Sequence, residues 1–196
     1  MAQKNKIVVK HRRYREGKTN YRKRLNLLKS GKPIVVVRKS VNFVIVQIVK
    51  YDEAGDRILY SEKSSSLEKF GWNYKKNNLP ACYLTGLLIG SKAKKDIKEA
   101  VANIGLYPST KGSRLYAVLK GINDAGVKVN VSEDVLPDEK RIRGEHIKSY
   151  AEDLRSKDKA AYDKIFSYYI KKKIDAEKIT QIFDETKDKI IKQKSE

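Results

Sequence analysis

A single cysteine, Cys82, among 196 residues leaves no partner for an internal disulfide and fits a reducing compartment. The two histidines, His11 and His146, have neither a cysteine nor each other close by in sequence, so no clustered metal site is expected. No run of eighteen apolar residues occurs, so no membrane span is expected. The basic N-terminus is not followed by the apolar stretch of a secretory signal. The most telling shortage is acid at one end. The first 39 residues contain one acidic residue, Glu16, against 14 Lys/Arg. That segment holds +13 of the chain's formal net charge of +20, and the other 157 residues share the remaining +7.

So dense a positive charge repels itself and does nothing for the stability of a folded body. From Lys10-His11-Arg12-Arg13-Tyr14-Arg15 to Tyr21-Arg22-Lys23-Arg24, guanidinium groups alternate with aromatic rings. A polyphosphate partner complements that pattern, and the interleaved tyrosines favour nucleic acid. A membrane-surface helix would need a broad apolar face, which residues 10–24 lack. A plain solvated tail or nuclear-localisation patch would account for the charge. It would not account for Gly17-Lys18-Thr19-Asn20, a small-residue break between two tyrosines that lets the arm bend and the rings stack on unpaired bases.

With 40 % hydrophobic residues the remainder can form a core, although 35 % charged residues exceeds the usual quarter. Residues 1–20 lack apolar periodicity and are expected to be extended or disordered until bound. A short helix is expected from Tyr21, with Leu25 and Leu28 three apart, ending at Gly31-Lys32-Pro33. Ile34–Val37 and Phe43–Val49 are β-branched runs joined by Arg38-Lys39-Ser40-Val41-Asn42, which predicts a hairpin, and a third strand follows near Arg57–Ser61. Both alternating faces of the second run are apolar, which predicts cover on both sides. A helix should start at Pro80 and run through Leu84, Leu87, Leu88, Ile97 and Val101. Ile104–Tyr107 reads as a strand, Ser113–Ala125 as a helix closed by Gly126, and Val127, Val129 and Val131 as a further strand, parallel to the preceding one. Residues 150–196, with twelve Lys/Arg, ten Asp/Glu and sparse apolar marks, read as two or three surface helices without a second core.

Other motifs were weighed against plainer readings. Gly86-Leu87-Leu88-Ile89-Gly90-Ser91-Lys92 lacks the order of a phosphate loop, and its glycines suit close helix packing. Lys111-Gly112-Ser113-Arg114 precedes a helix, where free N–H groups and cations can meet a phosphate, or where Ser113 can simply cap. A nuclease of the ribonuclease-H type needs an Asp on its first central strand, and here that strand holds only Ile and Val before Arg38-Lys39. Asp52, Glu53 and Asp56 read as turn formers. Cys82, in an apolar setting at a helix start, reads as a buried small hydrophobe, not half of a Cys–His pair.

Several of these segments, in this order, resemble one family. Arg15-Glu16-Gly17-Lys18-Thr19-Asn20-Tyr21-Arg22-Lys23-Arg24-Leu25 is similar to the N-terminal signature of the archaeal and eukaryotic branch of the 5S-rRNA-binding large-subunit ribosomal proteins, protein eighteen in the bacterial naming. The similarity continues through Val36-Val37-Arg38-Lys39-Ser40, Tyr74–Gly90, Asn103-Ile104-Gly105-Leu106, Thr110–Arg114 and Leu136–Ile147, so it spans about residues 10–150. Phe43-Val44-Ile45 and Asn77-Asn78-Leu79 depart from the family pattern. The resemblance implies an α/β fold, a mixed sheet flanked by helices in ribonuclease-H-like layering, to which the patterns above add a basic extended N-terminal arm and a helical C-terminal extension. It also implies binding of 5S rRNA, anchoring to large-subunit rRNA beside neighbouring proteins of the central protuberance in the cytoplasmic ribosome, and no catalysis or cofactor.

Together these readings divide the chain into an arm (1–32), an α/β core (33–132) and a C-terminal extension (133–196). The residues assigned to RNA are Lys10, His11, Arg12, Arg13, Tyr14, Arg15, Lys18, Thr19, Asn20, Tyr21, Arg22 and Arg24 in the arm, and Arg38, Lys39, Ser40 and Asn42 in the hairpin. Lys111, Ser113 and Arg114 before the helix, with Arg141 and Arg143 further on, complete the set. No catalytic or metal-binding residue, membrane or small-molecule substrate is expected. A ribonuclease-H-like processing enzyme and a packaging protein without RNA preference are the competing functions.

Overall fold

The computed structural model describes residues 8–192. Its centre is a mixed sheet of order β3-β2-β1-β4-β5. The β-branched runs become β1 (Ile34–Lys39) and β2 (Val44–Lys50), an antiparallel hairpin pairing Ile34 with Val49 and Lys39 with Val44; β3 (Arg57–Lys63) adds antiparallel to β2. β4 (Glu99–Asn103) lies parallel to β1, and β5 (Lys128–Val129) parallel to β4. As expected, a helix carries the chain between those parallel strands: α4 (Arg114–Ala125), with Leu115, Val118, Leu119 and Ile122 buried and Gly126 ending it at φ +108°.

Two boundaries differ from the sequence reading. α3 spans Leu79–Ala93 and stops before Ile97, while Val101 pairs with Ile34 in the sheet. The fourth strand is accordingly Glu99–Asn103, not Ile104–Tyr107. Ile97 and Val101 do sit four apart, but ladder pairing with β1 outweighs that local period. Gly105, at φ +68°, turns the chain directly after the strand, and its N–H donates to Asn103 Oδ1 at 2.9 Å.

α3 is buried on every side, which explains its unbroken apolar character. Asn78 caps it, with Oδ1 accepting from Ala81 N at 3.0 Å, and Pro80 fits the first turn, where no N–H partner exists. The glycines of α3 serve packing, as the sequence suggested. A Cβ on Gly86 would lie 2.1 Å from Val118 O, and one on Gly121 of α4 would lie 2.2 Å from Tyr83 O. The two backbones therefore meet without side chains between them.

The two sheet faces are covered unequally. Val44, Val46 and Ile48 are fully buried toward α3, while Phe43, Ile45 and Gln47 on the opposite face are only half-buried. That second face is where the arm lies. Within the arm, α1 (Arg12–Arg15) forms one turn where an extended or disordered chain was expected; residues 1–7 of that expectation lie outside the described residues. Local bonds explain the turn. Gly17 reverses the chain at φ +62°, Arg13 O accepts from the N–H groups of Lys18 and Thr19, and Arg13 Nε donates to Thr19 Oγ1 at 2.9 Å. The helix expected from Tyr21 is α2 (Tyr21–Leu28), capped by Asn20.

The C-terminal part is helical: α5 (Glu139–Arg143), α6 (Glu145–Lys157), α7 (Lys159–Ile165), α8 (Ser167–Lys171) and α9 (Ile179–Lys192). The reading of this region as surface helices is corrected. Phe166, Tyr169, Ala176, Ile179, Phe183 and Ile190 are buried in the same hydrophobic cluster as the sheet and α3. Ile179, Phe183 and Ile190 are spaced by four and seven residues, so α9 puts all three on one stripe. A run of rings ties the region in: Trp72 to Tyr74, Tyr74 to Tyr169 and Tyr169 to Phe166, with centroids 5.2, 5.4 and 6.0 Å apart. Tyr74 donates its hydroxyl to Asp175 O at 2.6 Å. Burial and the nearby Asp175 push that hydroxyl's pKa up to about 12, which keeps it a donor.

Candidate nucleic-acid interface

The hairpin between β1 and β2 closes with Ser40, whose N–H and hydroxyl both donate to Phe43 O while Phe43 N donates back to Ser40 Oγ. That leaves Val41 89 % exposed and Asn42 exposed at the tip. Asn77, in the loop before α3, donates its amide to Ser40 O at 2.8 Å and Val41 O at 2.7 Å. Its own carbonyl accepts from Arg114 Nη1 at 3.0 Å. One asparagine thus fixes the hairpin tip against the start of α4. Sequence reasoning missed Asn77, because nothing local marks a loop residue that bonds 37 positions away.

Beside this brace, Tyr107 donates to Lys39 O at 2.9 Å, and Lys39 Nζ lies 4.7 Å from the Tyr107 ring centre. The turn at Lys111 follows. Gly112 N donates to Val135 O, and a Cβ on Gly112 would meet Arg141 Nη1 at 3.8 Å. Arg38, Lys39 and Ser40, the Lys111–Arg114 turn and Arg141 therefore come together at one end of the sheet, where β1 and β4 terminate. Ser113 does not use its side chain as a cap; its Oγ is buried without a partner. Arg114 points into the brace, so its guanidinium supports the hairpin. Burial and the positive charge of Arg141 both push His146 below its ordinary pKa.

The arm crosses the half-covered sheet face, reaching toward the hairpin end through Lys23 and toward the opposite end through Arg24. Lys23 Nζ donates to Gly105 O at 3.2 Å. Arg24 forms a two-pronged pair with Asp56 in the β2–β3 turn, Nη1 to Oδ2 at 2.8 Å and Nη2 to Oδ1 at 2.6 Å. The Arg24 hydrogen bonds hold the Asp56 carboxyl below the ordinary carboxylate range, and Asp56 raises Arg24 in turn. Arg13, Lys18, Thr19, Asn20 and Leu27 line a cleft with Val36, Arg38 and Asn103. Further out, Lys10 Nζ lies 4.6 Å from the Tyr14 ring centre and the His11 ring sits tilted 5.2 Å from that of Tyr21. Glu16, the arm's one acid, accepts Lys18 Nζ at 2.8 Å. Among the described residues, Arg15, Arg22, Arg38, Lys111 and Arg141 have no carboxylate within 4.0 Å.

Arg143 stands apart. It pairs with Asp184 of α9 at 2.6 Å, away from the hairpin. No three His, Cys, Asp or Glu side chains gather at a metal-binding spacing among the described residues. Cys82 is fully buried, and burial pushes its thiol up to about 12, so it carries no thiolate at neutral pH. No described helix is long and apolar enough to cross a membrane.

With that geometry in place, comparison with known proteins gives a consistent answer. A model of the ribosomal large-subunit proteins 60S L5 and 50S L18 matches residues 5–102. Large ribosomal subunit protein uL18 of Korarchaeum cryptofilum is 49 % identical over 191 residues, covering 97 % of both chains. The uL18 protein of Methanococcus maripaludis is 48 % identical over 192 residues, covering 97 % of this chain and 99 % of its own. The chain belongs to the L5/L18 family of large-subunit ribosomal proteins. Membership fits the strongly cationic arm and sheet end. It also fits β1, whose interior of Ile and Val offers no metal-binding carboxylate. The family is structural, and the ribonuclease-H-like enzyme reading has no support from it.

Proposed function

We propose that this L5/L18-family chain is a structural constituent of the large ribosomal subunit in the cytoplasm that binds 5S rRNA. It anchors that RNA to large-subunit rRNA and to neighbouring proteins in the central protuberance. One observation carries the reading. Cations from three segments far apart in sequence, the Arg13–Lys23 part of the arm, the Arg38–Asn42 hairpin and the Lys111–Arg114 turn with Arg141, lie toward one end of the sheet with few acids among them. Phosphate contacts from these cations supply affinity, while Tyr14 and Tyr21 supply stacking on exposed bases. The hairpin and turn, held by Asn77, present a rigid surface to the backbone.

Filter binding of the full chain to 5S rRNA across a salt series tests this. About six phosphate contacts give a log–log slope near −5, from roughly −0.7 to −0.9 per contact. Removing residues 1–24 flattens the slope and removes most of the affinity; an unchanged slope defeats the assignment. Bulk tRNA as competitor distinguishes a packaging protein, which releases 5S rRNA to an equal mass of tRNA. Crosslinking on purified large subunits checks the site residues, the arm first.

A further inference from the structure

We infer that Asp56, an acid in the β2–β3 turn against the cationic arm, is a positioning residue for RNA binding: it docks α2 so that one row of the helix faces outward. The inference rests on the RNA-binding reading above and goes past it by assigning a function to a carboxylate that electrostatics alone would count as a hindrance.

Little else holds α2. The helix has eight residues and buries none of them, and a helix that short is not stable by itself in water. Leu25 is 55 % exposed, and Leu27 and Leu28 are half-buried. Apolar packing therefore cannot fix its rotation. What fixes it is polar: Asn20 Oδ1 accepting from Lys23 N at 3.0 Å, Lys23 Nζ on Gly105 O, and both prongs of Arg24 on Asp56. The last of these is the most restrictive. A fork meeting a carboxylate in two parallel bonds sets direction as well as distance. The Arg24 and Asp56 side chains are 34 % and 30 % exposed, partly shielded from water. With Arg24 turned inward, Arg22, Leu25, Asn26 and Lys29, spaced by three, four and seven, form the exposed face. Asp56 thus chooses which cations of α2 point away from the sheet.

Asp56→Asn gives opposite signs under the two interpretations. If Asp56 merely adds negative charge near RNA, its neutralisation tightens 5S rRNA binding and steepens the salt slope. If it positions α2, the same change weakens binding by about fivefold, the upper end for a partly exposed pair, without changing the melting temperature by more than about 2–4 °C. The exchanged pair, Arg24→Asp with Asp56→Arg, keeps the net charge of the wild type and recovers at least half of the loss. Binding equal to or tighter than wild type in Asp56→Asn overturns the inference, and so does a loss that the exchanged pair leaves unrepaired.

A readout without RNA separates this inference from the function beneath it. Trypsin cleavage after Arg22 or Lys23 in the RNA-free full chain should be several-fold faster in Asp56→Asn than in wild type, and slow again in the exchanged pair. Equal rates overturn the docking itself. Protected cleavage sites in a wild-type chain that shows no salt-dependent affinity for 5S rRNA would instead leave the docking standing and defeat the proposed function.

Discussion

The two ends of the chain are both crowded with charge, yet they fold by different rules. Among the described residues the N-terminal arm buries nothing in α1 or α2 and is held to the core by a few polar bonds and two ion pairs, Arg24–Asp56 and Lys32–Glu99. The C-terminal helices, no less charged, bury Phe166, Tyr169, Ile179, Phe183 and Ile190 in the common core. What separates them is the balance of sign and the spacing of a few apolar residues. With 14 Lys/Arg to one acid, the first 39 residues have almost no carboxylates of their own to pair with. With twelve Lys/Arg and ten acids, residues 150–196 can pair across helices, as Arg155 does with Glu177 at 2.8 Å. A stripe of three or four apolar side chains then suffices to seat the last helix. Charge density alone is a poor guide to whether a segment is peripheral.

The contrast can be broken most severely by ending the chain at Lys178. Without α9, the side of α3 carrying Tyr83 and Leu87 loses its cover, and cooperative thermal unfolding should disappear in calorimetry. Phe183→Ala is a milder cut at the same contact. It should cost about 3–5 kcal/mol in urea unfolding, because a fully buried ring stacked near Tyr83 leaves a cavity. Removing residues 1–24 should change stability by less than about 1 kcal/mol in the same titration, since none of the described residues 8–24 is buried. A large destabilisation by that deletion would erase the distinction drawn between the ends.

Smaller effects sharpen it. Arg143→Ala breaks an ion pair about half exposed on both sides and should leave the urea-unfolding midpoint unchanged. At the arm, the Asp56 carboxyl is held below its ordinary value by Arg24. The paired form is therefore fully present above the usual aspartate range and is lost as pH falls through the depressed value. In an NMR titration the carboxyl carbon of Asp56 should show a midpoint below that of an unpaired aspartate, and Arg24→Ala should return it to the ordinary value. A midpoint unchanged by that substitution contradicts the pair.

Local patterns read well from sequence where one element's own residues decide. The hairpin of β1 and β2, the inward face of α4, the stop at Gly126 and the start of α2 at Tyr21 all follow from short-range spacing and capping. The packing purpose of Gly86 was legible because its surroundings were apolar and the phosphate-loop order was wrong. The end of α3 was misread because Ile97 and Val101 keep helical spacing while the sheet claims Val101. The C-terminal helices were misread because an apolar stripe among many charges looks sparse in one dimension and continuous in three. Of the interface, the cations could be named from sequence, but Asn77, Tyr107 and Asp56, which hold them in place, could not.

By itself, then, the sequence determined the sign and location of the charge, the identity of the strands and helices with strong periods, and the absence of a carboxylate on the first strand. These depend on composition and on neighbours within a few residues. The tertiary structure decided where Val101 pairs, that the last helix completes the core, and that the arm rests on the half-covered sheet face through Arg24 and Asp56. Each of those is a contact across tens of residues, whose energy appears only once the chain has closed the loop between them.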